Sequence, residues 1–126
     1  MSQTMTPAMT ILYVDKPEDS ARFYEKLFKV SPAEVSPTFA LFPLPSGLVL
    51  GLWSRHTVEP ASGGTGGGCE LAIRAASDAE VDAVHEEWTK LGVRILQAPC
   101  VMDFGRTFTA VDADNHRIRV FHPGEA

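Results

Sequence analysis

The run "VDADNHRIRVF", residues 111–121, places Asp112, Asp114, Asn115 and His116 within five positions. Oxygen and nitrogen donors this close together could hold a cation, relay a proton, or only reverse the chain. A twelve-residue calcium loop needs a glycine at its sixth position and a glutamate at its twelfth, and this run has neither. Asp and Asn tolerate left-handed backbone and hydrogen-bond to their own turn, so the spacing predicts a tight reversal between two strands. The glycines between 63 and 68 could cradle a phosphate, but that chemistry needs a lysine and a following helix, and neither is present. They are expected to form a flexible connector. "HEEW" from His85 lacks the second histidine of a zinc helix, which leaves His85 as a solvated surface residue. Cys69 and Cys100 have no CxxC or Cys/His spacing, as expected of reduced, packed thiols. No G-x-S-x-G is present, and no cysteine has an evident histidine partner, so no activated nucleophile is indicated.

These residues sit in a chain of 126 residues, 44% hydrophobic, with net charge −5. That length supports one core rather than two. An acidic chain with no basic face argues against nucleic acid as a partner. No stretch approaches the roughly 18 to 20 apolar residues of a membrane span, and the first residues do not read as a signal peptide. A cytoplasmic protein without membrane contact is expected.

The elements that must position the chemistry repeat. "MTILYV" (9–14) is apolar and β-branched, and "DKPEDSARFYEKLFK" follows with Asp15 three residues before Glu18 and Pro17 between them. That pattern predicts a helix capped by Asp15. Phe23 with Leu27 and Tyr24 with Phe28 give it an apolar face. Residues 32–53, broken by Pro37, Pro43, Pro45 and Gly47, predict two or three antiparallel strands. After the glycines the order recurs. "CELAIRA" (69–75) predicts a strand, and Ser77 with Glu80 opens a second helix with the stripe Val81, Val84, Trp88 and Leu91. Gly92 sits at its stop. "VRILQAP", "GRTFTAVDA" and "HRIRVFHP" predict three more strands. The caps Asp15 and Ser77 lie 62 positions apart, and the layout is a βαβββ unit used twice, an α+β fold.

Two such units, opened by "YVDKPEDSARFYEKLF" and closed by "GRTFTAVDADNHRIRVF", resemble the vicinal oxygen chelate superfamily. That superfamily includes glyoxalase I, extradiol dioxygenases, fosfomycin-resistance enzymes and bleomycin-resistance proteins. "RFYEKLFKVSPAEVSPTFALFP", "GLWS" and "EEWTK…FGRTF…D" are similar to its phenazine antibiotic-resistance branch, small dimeric proteins that sequester an aromatic drug. The resemblance implies a single domain over 1–126: a first module over 9–61, a Gly-rich connector over 62–68 and a second module over 69–123. It also implies a cup-shaped mixed sheet with helices on its convex face.

Metal-using relatives place ligands at positions that correspond here to Met9 or Thr10, to Glu70 and to Arg119. Arginine has no lone pair to give and repels a cation, so no catalytic metal and no other cofactor is expected. If Arg119 holds the ligand position, strand alternation puts Phe121 on its concave face and Ile118 and Val120 under a helix. The same reading buries Leu48, Leu50 and Leu52 and turns Val49, Gly51 and Trp53 to the cup, with a flat slot beside the glycine. Trp53 matches the tryptophan of the resistance proteins' cavity. Phe39, Met102, Phe104 and Phe121 are further wall candidates. Arg119 is expected to hold a ligand carboxylate, or to pair with Glu70 across the vacated site.

Three functions follow. The leading one is non-catalytic sequestration of a planar aromatic, phenazine-like antibiotic by a cytoplasmic homodimer, with no nucleic acid or membrane partner. The second is a metal-dependent glyoxalase-like isomerase or dioxygenase whose site combines Glu70 with His116 or His122. The third is a stress or regulatory module. Open sheet edges and the clefts shared between subunits in this superfamily point to the homodimer.

Overall fold

The computed structural model describes residues 4–64 and 66–124. The chain divides into two compact units, residues 1–64 and 65–126, and each has the same internal plan.

The first unit runs β1 (Met9–Val14), α1 (Pro17–Phe28), β2 (Glu34–Val35), β3 (Phe39–Pro43) and β4 (Val49–Ser54). Its sheet has the order β1-β4-β3-β2, with β1 parallel to β4 and the other pairs antiparallel. A parallel pair needs a crossover, and α1 with the two strands after it provides one. α1 packs on β2, β3 and β4. Ala21, Tyr24 and Leu27 are buried, as are Ala40, Phe42, Leu50 and Leu52 of the sheet. Leu27, Phe42, Leu50 and Leu52 each contribute roughly 1.5–3 kcal/mol by leaving water. Leu48 differs from expectation: it is exposed and precedes β4, in the turn closed by the Leu44–Leu48 hydrogen bond.

The second unit runs β5 (Glu70–Arg74), α2 (Asp78–Lys90), β6 (Arg94–Met102), β7 (Gly105–Val111) and β8 (Arg117–Pro123). The order β5-β8-β7-β6 repeats the first sheet, again with the outer first strand parallel to the last. α2 lies on β6, β7 and β8. Trp88 meets Phe108 edge-on at 5.4 Å, and Val81, Ala110, Ile118 and Val120 complete the buried layer. The helix stripe is shorter than expected. Leu91 is the C-cap residue and is exposed, because Gly92 (φ 81°) turns the chain there.

The two helix starts are not equivalent. Ser77 is the N-cap of α2, and its hydroxyl accepts from the Glu80 N–H at 3.1 Å. Asp15 does not cap α1. The N-cap is Lys16, with no side-chain cap bond, and Asp15 accepts instead from His56 Nε2 at 2.6 Å. Pro17 starts the helix one residue later than a capping aspartate would, so the two caps stand 61 positions apart (77 − 16).

Three other expectations change. His85 is half-buried, with its ring edge-on to Phe108 at 5.3 Å, rather than solvated. Cys69 is exposed and Cys100 half-buried, so neither thiol is a core residue. The glycine connector is partly packed: a Cβ on Gly66 would lie 2.5 Å from the Asp114 carbonyl oxygen. Thr65, within that connector, lies outside the described residues.

Candidate functional site in the second unit

The 112–116 run forms a turn. Asp112 is buried, and its Oδ1 accepts from the N–H groups of Asp114 (2.9 Å) and His116 (2.8 Å). Asn115 takes the left-handed conformation at φ 66°. The Asp112 side chain thereby satisfies the amides that a two-strand reversal leaves open, and the turn delivers β8 in register.

That register sets the site. Residues paired across β5 and β8 are Glu70 with Arg117, Ala72 with Arg119, and Arg74 with Phe121. Across β8 and β7, Thr107 faces Phe121 and Thr109 faces Arg119. Alternation sends Phe108, Ala110, Ile118 and Val120 toward α2 and these partners to the other face. On that other face lies a recess of about 380 Å³ lined by Glu70, Ala72, Met102, Phe104, Arg119 and Phe121. The volume is within the range of small-molecule sites, roughly 300–1,000 Å³.

Arg119 is the hub of the recess. Its Nε donates to Glu70 Oε1 at 2.6 Å, and Nη2 donates to Glu70 Oε2 at 3.3 Å. Nη1 donates to Gln97 Oε1 (3.3 Å) and to Thr107 Oγ1 (3.2 Å). Those acceptors are themselves anchored. Thr107 donates to the Val120 carbonyl at 2.9 Å, and Thr109 donates to Gln97 Oε1 at 3.2 Å. The Arg119 side chain is 17% exposed and that of Glu70 34%, so the pair sits at the border between core and solvent.

The Phe104 ring lies 5.8 Å from the guanidinium carbon and meets Phe121 edge-on at 6.2 Å. Both arrangements are favourable for aromatic rings. Phe104 is held by its neighbours. Its carbonyl accepts from the Gly124 N–H at 2.8 Å, and Gly105 (φ 130°) passes so close to β8 that a Cβ there would lie 2.1 Å from the His122 carbonyl oxygen.

In the first unit, Trp53 and Phe39 are paired across β4 and β3 and meet edge-on at 6.2 Å. Met9, Ile11 and Tyr13 of β1 share their face and are exposed. The flat slot expected beside Gly51 is filled from within the chain. The Met9 methyl and the tip of the Phe39 ring both lie 3.0 Å from where a Cβ of Gly51 would be. The structure thus groups Glu70, Met102, Phe104, Arg119 and Phe121 in one recess, and Phe39, Gly51 and Trp53 in another cluster. Gln97, Thr107, Thr109 and Ala72 were not singled out from the sequence. The alternation in "GRTFTAV" places both threonines on one face, but only the register with β8 shows that the face is that of Arg119.

Of the positions that the resemblance gives to metal ligands, Glu70 is engaged by Arg119, Arg119 offers no lone pair, and Met9 is a thioether packed on Gly51. These residues do not fit a divalent ion. The second donor set fails geometrically. His122 Nδ1 is 2.9 Å from Asp78 Oδ1 at the start of α2, on the face of the sheet opposite to the Glu70–Arg119 pair. His116 is buried in the turn. Among the described residues, no group of three or more His, Cys, Asp or Glu side chains converges.

Residues 6–120 match the family described as the Glyoxalase/Bleomycin resistance protein/Dioxygenase superfamily. The chain is 33% identical over 120 residues to the phenazine antibiotic resistance protein EhpR of Enterobacter agglomerans, covering 93% of this chain and 92% of that protein. A protein of Agrobacterium tumefaciens solved by NMR is 53% identical, with a TM-score of 0.89 over 97% of this chain and all of its own. A glyoxalase-related enzyme of Fulvimarina pelagi shares the fold at 23% identity, with a TM-score of 0.81 over 94% of this chain and 88% of that one. With its repeated βαβββ plan and these matches, the chain belongs to the glyoxalase/bleomycin resistance protein/dioxygenase superfamily.

Proposed function

We propose that this protein binds and sequesters a planar aromatic small molecule of the phenazine type, without transforming it, and so confers resistance as a cytoplasmic homodimer. One observation carries the reading: Phe104, Phe121 and Met102 line a recess of about 380 Å³ together with the hydrogen-bonded guanidinium of Arg119. Flat rings offer stacking of roughly 0.5–1.5 kcal/mol beyond the area they bury, and a polar hub orients what stacks. Similarity to a phenazine antibiotic resistance protein supports the same ligand class. Sequestration needs no base or nucleophile, and all but one of the N–H donors of Arg119 are engaged in holding side chains in place. Among the described residues, no helix is long and apolar enough to cross a membrane.

The test is calorimetric titration of the protein with phenazine and simple substituted phenazines. Micromolar or tighter binding is expected, with the ligand recovered chemically unchanged. Phe104→Ala should weaken binding about tenfold or more, the loss of one stacked ring and its apolar contact. Trp53→Ala, made in parallel, tells whether the first unit's aromatic pair contributes. No binding of any planar aromatic, or turnover of a hemithioacetal or catechol in the presence of a divalent metal, overturns the reading.

A further inference from the structure

A guanidinium has five N–H donors. In Arg119 the Nε hydrogen and one Nη2 hydrogen go to Glu70, and Nη1 serves both Gln97 and Thr107. Among the described residues, a single Nη2 hydrogen is left for a ligand. The two-pronged edge that grips a carboxylate through parallel bonds is already filled from within the chain. Arg119 is also unable to swing toward a newcomer. Thr107 is tied to the Val120 carbonyl, Gln97 to Thr109, and Phe104 covers the guanidinium. A carboxylate entering the recess would thus find no free fork and would meet the negative charge of Glu70, which lines the same space.

Resting on the reading that this recess takes a planar aromatic molecule, we infer that Glu70 determines its specificity. By holding the fork of Arg119, Glu70 turns away aromatic carboxylates. The recess then selects uncharged aromatics that offer one hydrogen-bond acceptor, a ring nitrogen or an amide carbonyl, to the remaining Nη2–H. The arrangement reverses what Arg119 alone suggests, since an unpaired arginine in an aromatic recess would select the acid. It uses an unfavourable encounter as well as a favourable one to discriminate.

Three probes separate the outcomes: phenazine, phenazine-1-carboxamide and phenazine-1-carboxylate, titrated into wild type and Glu70→Gln. Wild type is expected to bind the amide about tenfold or more tightly than the carboxylate. Glu70→Gln keeps an acceptor for Arg119 but removes the charge, and should raise the affinity for the carboxylate about tenfold relative to that for the amide. Glu70→Ala, on an edge strand, gives the same direction should the glutamine variant fold poorly. Adding Arg119→Met to Glu70→Gln should abolish the gain. A wild type that prefers the carboxylate, or a ratio unmoved in both Glu70 variants, overturns the inference while leaving aromatic binding intact. Failure of wild type to bind any of the three removes both.

Discussion

Asp15 accepts a hydrogen bond from His56 Nε2 at 2.6 Å, and its carboxylate lies 3.6 Å from Arg55 Nη2. The bond from His56, more than the charge of Arg55, holds its pKa below the ordinary 3.8. A carboxyl group whose pKa is lowered on folding stabilises the folded state above its unfolded value, and the contribution is lost as pH falls through the folded value. The relevant window therefore opens near 3.8 and extends below it. Asp15→Asn is expected to lower stability at neutral pH and to leave it nearly unchanged at the acid end, where Asp15 is protonated, so that the acid limb of the stability–pH curve flattens. Urea unfolding at a series of pH values checks this; superimposable acid limbs for the two proteins would refute it. The contact joins the end of β1 to the residues just after β4. A pairing 41 positions apart could not be seen in the sequence, where Asp15 reads equally well as a helix cap.

At the scale of elements, the helices differ in how they begin. The Ser77 hydroxyl accepts from the Glu80 N–H at the start of α2, so Ser77→Ala should cost about 1 kcal/mol. Lys16→Ala removes no cap bond at α1 and should change stability by less than about 0.5 kcal/mol. Gly105 is more demanding. Its φ of 130° and the 2.1 Å approach of any Cβ to the His122 carbonyl mean that Gly105→Ala must open the β7–β8 pair. A loss of roughly 3 kcal/mol or more is expected, together with weakened aromatic binding, because Phe104 is displaced with it. Chemical denaturation of the three variants supplies all these values. Gly105→Ala with wild-type stability would show that the turn has slack. The strands were legible from alternation alone: Ile118 and Val120 are buried and Arg119 faces away from them. Leu48 and Leu91 were misplaced because each continues an apolar period past the turn that ends its element, and periodicity carries no information about where a turn cuts in.

For the whole molecule, edge strands matter most. β1 and β2 border the first sheet, and β5 and β6 the second. β1 carries Met9, Ile11 and Tyr13 exposed on one face. Exposed apolar side chains on an edge strand invite association, and a second copy of the chain is the partner proposed above. Light scattering at micromolar concentration should give twice the chain mass. Ile11→Lys with Tyr13→Lys should shift the population toward the monomer, whereas a wild-type monomer would remove the dimer from the proposal.

The sequence by itself determined the repeated βαβββ order, the cap at Ser77, the turn at 112–116 and the alternation that sets Arg119 opposite Ile118 and Val120. Each of these depends on spacing within a few residues, where backbone geometry is local. Only the tertiary structure decided that the fork of Arg119 is filled by Glu70, that Gln97 and Thr107 hold it fixed, and that Met9 and Phe39 close the space over Gly51. Those contacts depend on register between strands far apart in the chain, and a shift of one residue would have turned every one of them to the opposite face.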